Sequence, residues 1–334
     1  MELSEAEIQV LASLRASEIG GKPTDEASLR EHGECYWIFL EDWSEAFPHL
    51  TSKELIQSNK DGYALTDKGR VLGDRYHSER PNMYWYYYQR FYPAAYASAA
   101  HSSLCERVFG MDLCQEGQVD MAALHDLMAR LALTPEAHVL DLGCGAGVIA
   151  RYISEQTGAR VTGLDYSAPA IAEAVERNRD MGARLTFQQG DMNALDLPAR
   201  TFDAVISLDT LYWVADLPKT LGEIAKTMKP GGQMGIFISQ ELGEGDPPAI
   251  LEADNTELAQ ALKSQQLRYD AYDYTAQNAE FWRRIQEAAT DLREEFEAEG
   301  NGFIAASLLR EAEEEFLPAT KAGTITRYLY HVAV

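Results

Sequence analysis

Val139-Leu140-Asp141-Leu142-Gly143-Cys144-Gly145-Ala146-Gly147 is the stretch on which the reading of this chain turns. A strand-like run, His138–Leu142, leads straight into three glycines spaced two apart, and Val148–Gln156 continues with helical character. Gly143, Gly145 and Gly147 let the backbone turn sharply and approach a ligand with no Cβ in the way. In an open α/β sheet such a loop lies at the carboxyl ends of the strands, where ligands bind. Dinucleotide enzymes also carry a glycine-rich loop, but their G-x-G-x-x-G pattern needs glycine where this chain has Val148. Asp141 puts a carboxylate where a pyrophosphate would be repelled and an ammonium favoured.

Downstream, short apolar strands alternate with helices. Arg160–Asp165, Leu185–Gln189, Phe202–Ser207 and Gln233–Ser239 read as strands, the last entered through Pro230-Gly231-Gly232. Ala168–Met181 and Pro218–Met228 read as the helices between them. This alternation predicts a parallel, doubly wound α/β sheet. Asp165, at the end of the second strand, can accept both hydroxyls of a ribose. Ser167 is placed to cap the following helix, and Tyr166 lies either against a nucleobase or in an exposed turn. Asp191 can accept an exocyclic amino group, and Met192 offers a soft face to the ring. After the fourth strand, Leu208 would back the ligand, while Asp209, Tyr212 and Trp213 would face a second reactant.

Upstream lie two further zones. Residues 1–80 show helical patterns at Glu5–Arg15 and Trp37–Phe47, then a glycine turn and an alternating strand ending in Thr66-Asp67-Lys68-Gly69. That order resembles the wing of a winged helix. The helix expected before the wing carries Glu41, Asp42 and Glu45, the wrong sign for phosphate, so dimerisation or gating is expected rather than DNA binding. Residues 81–130 centre on Tyr84-Trp85-Tyr86-Tyr87-Tyr88, followed by Phe91, Tyr92, Tyr96 and His101; Pro93 is expected to end that helix. Five consecutive aromatics surround a helix, so some must face a partner, a domain or a ligand. Tyr88 and Tyr92 share one face at i,i+4. The remainder, 131–334, holds the sheet, a helical insertion at about 276–320 and a closing strand at Thr324–Val332.

Composition sets the outer limits. The 334 residues carry 29 basic against 53 acidic side chains, a formal charge of −24, which argues against a nucleic-acid substrate. Cys35, Cys105, Cys114 and Cys144 have no paired spacing and read as reduced thiols, with no metal site expected. Met1–Ala16 lacks a signal-peptide pattern and no apolar run is long enough for a membrane span, so a cytoplasmic location is expected.

Five motifs now stand in order: Val-Leu-Asp-Leu-Gly-Cys-Gly-x-Gly, Gly-Leu-Asp-x-Ser, Gln-Gly-Asp-Met, Phe-Asp-x-Val and Met-Lys-Pro-Gly-Gly. Together they resemble class I S-adenosylmethionine-dependent methyltransferases, in particular the ubiquinone/menaquinone C-methyltransferases and the sarcosine/dimethylglycine N-methyltransferases. The resemblance covers about Ala137–Thr275 and the last strand. It implies a seven-stranded Rossmann-like sheet with a final antiparallel strand, and S-adenosylmethionine as cofactor, leaving as S-adenosylhomocysteine. Positions matching Asp141, Gly143, Gly145, Asp165, Asp191 and Leu208 line the cofactor site in that family. With the loop reading, the candidate cofactor set becomes Asp141, Gly143, Cys144, Gly145, Gly147, Asp165, Tyr166, Asp191, Met192 and Leu208.

Methyl transfer from a sulfonium needs alignment and exclusion of water, and a base only if the acceptor starts protonated. His101, Tyr212 and Tyr88 are the candidates for that role; Tyr84, Tyr88, Tyr92, His101, Asp209, Tyr212 and Trp213 are those for a small-molecule acceptor. Arg327 is a candidate clamp for an acceptor carboxylate, whereas Arg283 and Arg284 are expected to pair with nearby glutamates. The acceptor atom, O, N, S or C, stays open, as does a homodimer through the first domain. The alternatives are a winged-helix regulator that senses S-adenosylmethionine, a silent cofactor-binding scaffold and an aminopropyltransferase, which Asp141 disfavours.

Overall fold

The strands that decide the architecture alternate sides residue by residue. Leu140, Val205, Ile236 and Tyr330 point into one apolar layer, and their neighbours Val139, Ile206, Phe237 and Leu329 into the other. A sheet apolar on both faces must be covered on both. The computed structural model describes residues 3–30, 41–79 and 83–334, with residues 78–79 and 83–89 described by backbone alone. The chain divides into two compact units, residues 1–91 and 92–334.

In the first unit, α1 (Glu5–Gly20) starts with a capping box: Ser4 Oγ accepts from the Glu7 N–H, and the Glu7 carboxylate accepts from the Ser4 N–H. Helix α2 (Ala46–Ser52), the hairpin β1 (Ile56–Asn59)–β2 (Gly62–Leu65) and α3 (Asp67–Glu79) follow. Val10, Leu11, Leu14, Trp43, Phe47, Leu50 and Leu65 form its core, and the Trp43 indole N–H donates to Gln9 Oε1 at 2.9 Å. The expected helix Trp37–Phe47 is corrected here. Residues 37–40 lie outside the described residues, and 41–45 are not helical. Asp42 Oδ1 accepts from the Ser44 N–H, a local bond that competes with helix formation, so Glu41, Asp42 and Glu45 precede α2 instead of lining it.

Helix α4 (Met83–Ala97) runs through Pro93, against expectation, and ends at Ala97. Ser98 then caps α5 (Ala99–Phe109), its Oγ accepting from the His101 N–H at 2.9 Å.

The second unit is built on a seven-stranded sheet. Its strands are β3 (His138–Leu142), β4 (Arg160–Asp165), β5 (Leu185–Gln189), β6 (Phe202–Leu208), β7 (Met228–Glu241), β8 (Arg268–Asp273) and β9 (Ile325–Ala333). Their spatial order is β5-β4-β3-β6-β7-β9-β8. The first five are parallel, and β9 runs antiparallel to both β7 and β8. The chain moves outward from β3 to one side, then returns to β3's other edge with β6, so the crevice for a ligand opens above β3 and β6. Helices α6 (Met121–Leu131) and α7 (Val148–Thr157) contribute Leu124, Leu127, Leu131 and Ile153 to one layer. Helices α9 (Leu217–Thr227) and α10 (Glu257–Ser264) contribute Leu221, Ile224, Leu258 and Leu262 to the other. Helix α8 (Ala168–Arg177) is capped by Ser167, as expected.

Between β8 and β9 the insertion is helical as expected but broken into α11 (Thr275–Asp291), α12 (Arg293–Ala298), α13 (Gly302–Arg310), a π-helical turn Glu311–Phe316 and α14 (Leu317–Ala322). Trp282 of α11 stacks flat on Phe316, ring centroids 4.1 Å apart. Arg283 pairs with Glu280 and Glu287, but Arg284 reaches across to Asp120 Oδ2 at 2.8 Å and to the Val108 carbonyl.

Candidate functional site

The loop after β3 is held by its neighbours as much as by its own glycines. The Gly143 and Cys144 N–H groups both donate to the Leu164 carbonyl, and the Gly145 N–H donates to Asp165 Oδ2 at 2.9 Å. Gly143, Gly145 and Gly147 all have positive φ, +75°, +51° and +72°. A Cβ at Gly143 would collide with the Thr210 methyl, and one at Gly145 with the Tyr92 hydroxyl. Both conformation and space therefore exclude a side chain. Cys144 is buried, its thiol pushed up by burial and by the carboxylates of Asp141 and Asp165.

Asp141 is 3 % exposed, and no described residue gives it a hydrogen bond or a cation. Burial first, then the nearby charge of Asp165, push its carboxyl up to about 7. Asp165 is also raised by burial, partly offset by the N–H groups of Ser167 and Gly145 that it accepts. Two carboxylates thus lie near each other with no counter-charge among the described residues, a surrounding that fits a ligand bringing positive charge. Asp191, at the next strand end, is exposed; its Oδ1 accepts from the backbone and side-chain N–H groups of Asn193. Met192 and Leu208 pack partly against the two core layers. The Tyr166 hydroxyl is buried without a partner among the described residues.

On the other side of the β6 end stand Asp209, Tyr212 and Trp213. Tyr212 and Trp213 are about two-fifths exposed. The Tyr212 oxygen accepts from the Ser239 N–H at 2.5 Å, and its hydroxyl lies 3.4 Å from Asp209 Oδ1. Burial and the Asp209 charge push the phenol well above its ordinary value, so it stays a neutral donor. Arg327 is placed differently from expectation. Its fork is bidentate on Asp209, at 2.6 and 2.8 Å, so Asp209 already occupies the clamp expected for an acceptor. His101 is 1 % exposed, with the thiols of Cys105 and Cys114 each 3.7 Å from Nδ1. Burial pushes its ring down to about 4, so the ring is neutral at ordinary pH. Tyr92 stacks with Tyr96, centroids 6.3 Å apart, and the Arg177 guanidinium lies 3.4 Å over the Tyr96 ring. Tyr84 and Tyr88 are on α4, but their side chains lie outside the described residues.

Three residues of this neighbourhood escape the sequence reading. Thr210 donates to the Leu142 carbonyl at 2.8 Å, Gln118 donates its N–H to Asp209 Oδ2 at 3.0 Å, and Ser239 anchors Tyr212. Each acts across a gap of 27 to 91 residues, where no periodicity links the partners.

A family profile described as "Methyltransferase domain" matches residues 139–232. Phosphoethanolamine N-methyltransferase 1 of Zea mays is 31 % identical over 191 residues, covering 56 % of this chain and 36 % of the relative. A sterol 24-C-methyltransferase of Neurospora crassa is 26 % identical over 214 residues, 63 % of this chain and 52 % of the relative. The chain therefore spans between about a third and a half of the length of these curated relatives. Among solved structures, the Haemonchus contortus phosphoethanolamine N-methyltransferase 2, in complex with phosphomonomethylethanolamine and S-adenosylhomocysteine, is similar with a TM-score of 0.59. It is 20 % identical and the match covers 74 % of this chain and 60 % of that one, which speaks for the fold alone. Residues 139–232 therefore carry the sequence of a methyltransferase domain, and the seven-stranded sheet around them has the fold of solved methyltransferase structures.

Proposed function

We propose that the chain transfers the methyl group of S-adenosylmethionine to a small-molecule acceptor. The observation that carries this reading is the pair Asp141 and Asp165: two carboxylates at adjacent strand ends, both raised by burial and without a cation among the described residues, beside a loop whose glycines admit no Cβ. Asp141 would hold the ammonium of the methionine moiety and Asp165 the ribose, while Asp191, Met192, Tyr166 and Leu208 would surround the adenine. Gly143, Cys144, Gly145 and Gly147 would carry the backbone past the cofactor. When bound, the cofactor supplies a methyl group activated by its sulfonium.

The protein's own residues then align and enclose. Tyr212, anchored by Ser239 and reached by solvent, presents a neutral hydroxyl to orient the acceptor, with Asp209 and Trp213 beside it. Tyr92, whose hydroxyl abuts Gly145, sits where it can close over the loop. Tyr84 and Tyr88 keep the acceptor role expected of them from the sequence. His101 is enclosed and neutral, which suits packing better than proton transfer. None of the described helices is long and apolar enough to cross a membrane. A cytoplasmic enzyme whose first unit dimerises or gates the site completes the reading.

Calorimetric titration with S-adenosylhomocysteine tests the cofactor half. A screen of small acids, amines, thiols and phenols for conversion of S-adenosylmethionine to S-adenosylhomocysteine tests the rest. No binding and no turnover would refute it.

A further inference from the structure

The turn that ends β6 has two faces. Asp209 takes a left-handed backbone, φ +58°, which L side chains rarely adopt. That single residue sends two adjacent side chains to different anchors. Asp209 meets Arg327, which is 2 % exposed and also donates to Ser239 Oγ at 3.2 Å and Gln118 Oε1 at 3.4 Å. Gln118 closes the group, since its Oε1 accepts from the Trp282 indole N–H at 3.3 Å. Thr210 faces the other way: its hydroxyl bonds the Leu142 carbonyl and Ser207 Oγ, and its methyl fills the space where Gly143 has no Cβ. Tyr212, two residues on, is anchored to β7 through Ser239.

A buried ion pair is a poor stability device, because apolar groups of similar volume serve as well. What it supplies is a fixed geometry, and here it fixes one turn that touches the glycine loop with one side chain and the acceptor side with another. We infer that the Asp209–Arg327 pair is a positioning device which, through Thr210, sets the glycine loop for the amino-acid end of the cofactor. Asp141, the residue that would hold that end, lies two positions before Gly143. The inference rests on the methyltransferase reading and adds Arg327 and Thr210 to it as positioning residues.

Two ligands separate positioning from general loosening: S-adenosylhomocysteine, and 5′-methylthioadenosine, which has the same adenosine but no amino-acid tail. Arg327→Met and Thr210→Val should each raise the Kd for S-adenosylhomocysteine about tenfold while leaving that for 5′-methylthioadenosine within about twofold. Arg327→Lys and Thr210→Ser, which keep the charge and the hydroxyl, should recover part of the loss. The double variant should be little worse than the worse single, since both break the same joint. Equal weakening of both ligands, multiplicative single effects or unchanged affinities would overturn the inference. If Arg327→Met loses its cooperative thermal transition, the Thr210→Val and Thr210→Ser pair decides alone. Wild-type protein that binds neither nucleoside would overturn the methyltransferase reading and this inference with it; binding with indifferent variants overturns only the inference.

Discussion

Lowering the pH from about 8 to about 6 should weaken the binding of S-adenosylhomocysteine roughly tenfold, through Asp141. Its carboxyl is pushed up to about 7 in the ligand-free protein. An ammonium binds the ionised form, which is about nine-tenths of the population at about pH 8 and one-tenth at about pH 6. Burial raises Asp165 too, which adds to the effect in the same direction. The same arithmetic fixes a stability term. From an ordinary 3.8 to about 7, ionising Asp141 without a ligand costs about 4 kcal/mol. Because the folded-state value is the higher one, that cost is absent below the unfolded value and complete only once the pH has passed the folded one. Calorimetry in buffers of different ionisation enthalpy should detect release of close to one proton per ligand at about pH 6 and almost none at about pH 8. Asp141→Asn should remove most of the pH dependence, weaken binding at about pH 8 by at least tenfold and raise the ligand-free melting temperature there. A flat affinity profile with no proton release would refute the reasoning.

Other predictions address single contacts. Asp165→Ala should weaken the binding of S-adenosylhomocysteine at least tenfold, since it removes the candidate ribose acceptor and frees the Gly145 N–H; unchanged affinity by calorimetry removes Asp165 from the site. Gly145→Ala meets a φ of +51° and the Tyr92 hydroxyl, so it should cost about 1–3 kcal/mol by chemical denaturation and most of the ligand affinity. Trp282→Ala removes a stacked ring and a hydrogen bond to Gln118, and should destabilise the fold by about 3–5 kcal/mol in the same assay. Titration with duplex DNA at low salt should show no tight, salt-sensitive binding, given the charge of −24.

The parts of this protein legible from sequence are those in which the backbone itself is specified. Three glycines two apart, a strand of alternating Val139 and Leu140, and Ser167 ahead of a helix each leave a local mark, and each element stands where that mark predicts it. Pro93 and the stretch 41–45 misled because their cost or preference is settled by neighbours: the helix absorbs the proline, and Asp42 and Gln9 accept the N–H groups of Ser44 and Glu41. The joint at Asp209 was beyond reach for another reason. Arg327 lies 118 residues away and looked like a free cation on the last strand, and only the pairing of β7 with β9 brings it under Asp209.

That same pairing sets the order of assembly. Among the described residues β8 has only β9 for a neighbour, and β9 enters between β7 and β8 after the helical insertion has been made. In a growing chain, β7 keeps a naked edge and β8 has no sheet to join until residues 325–333 emerge. Since Arg327 travels on β9, the glycine loop is complete in sequence long before its floor exists. Pairing over so long a separation is slow, so ligand competence should be the last property this protein acquires as it folds.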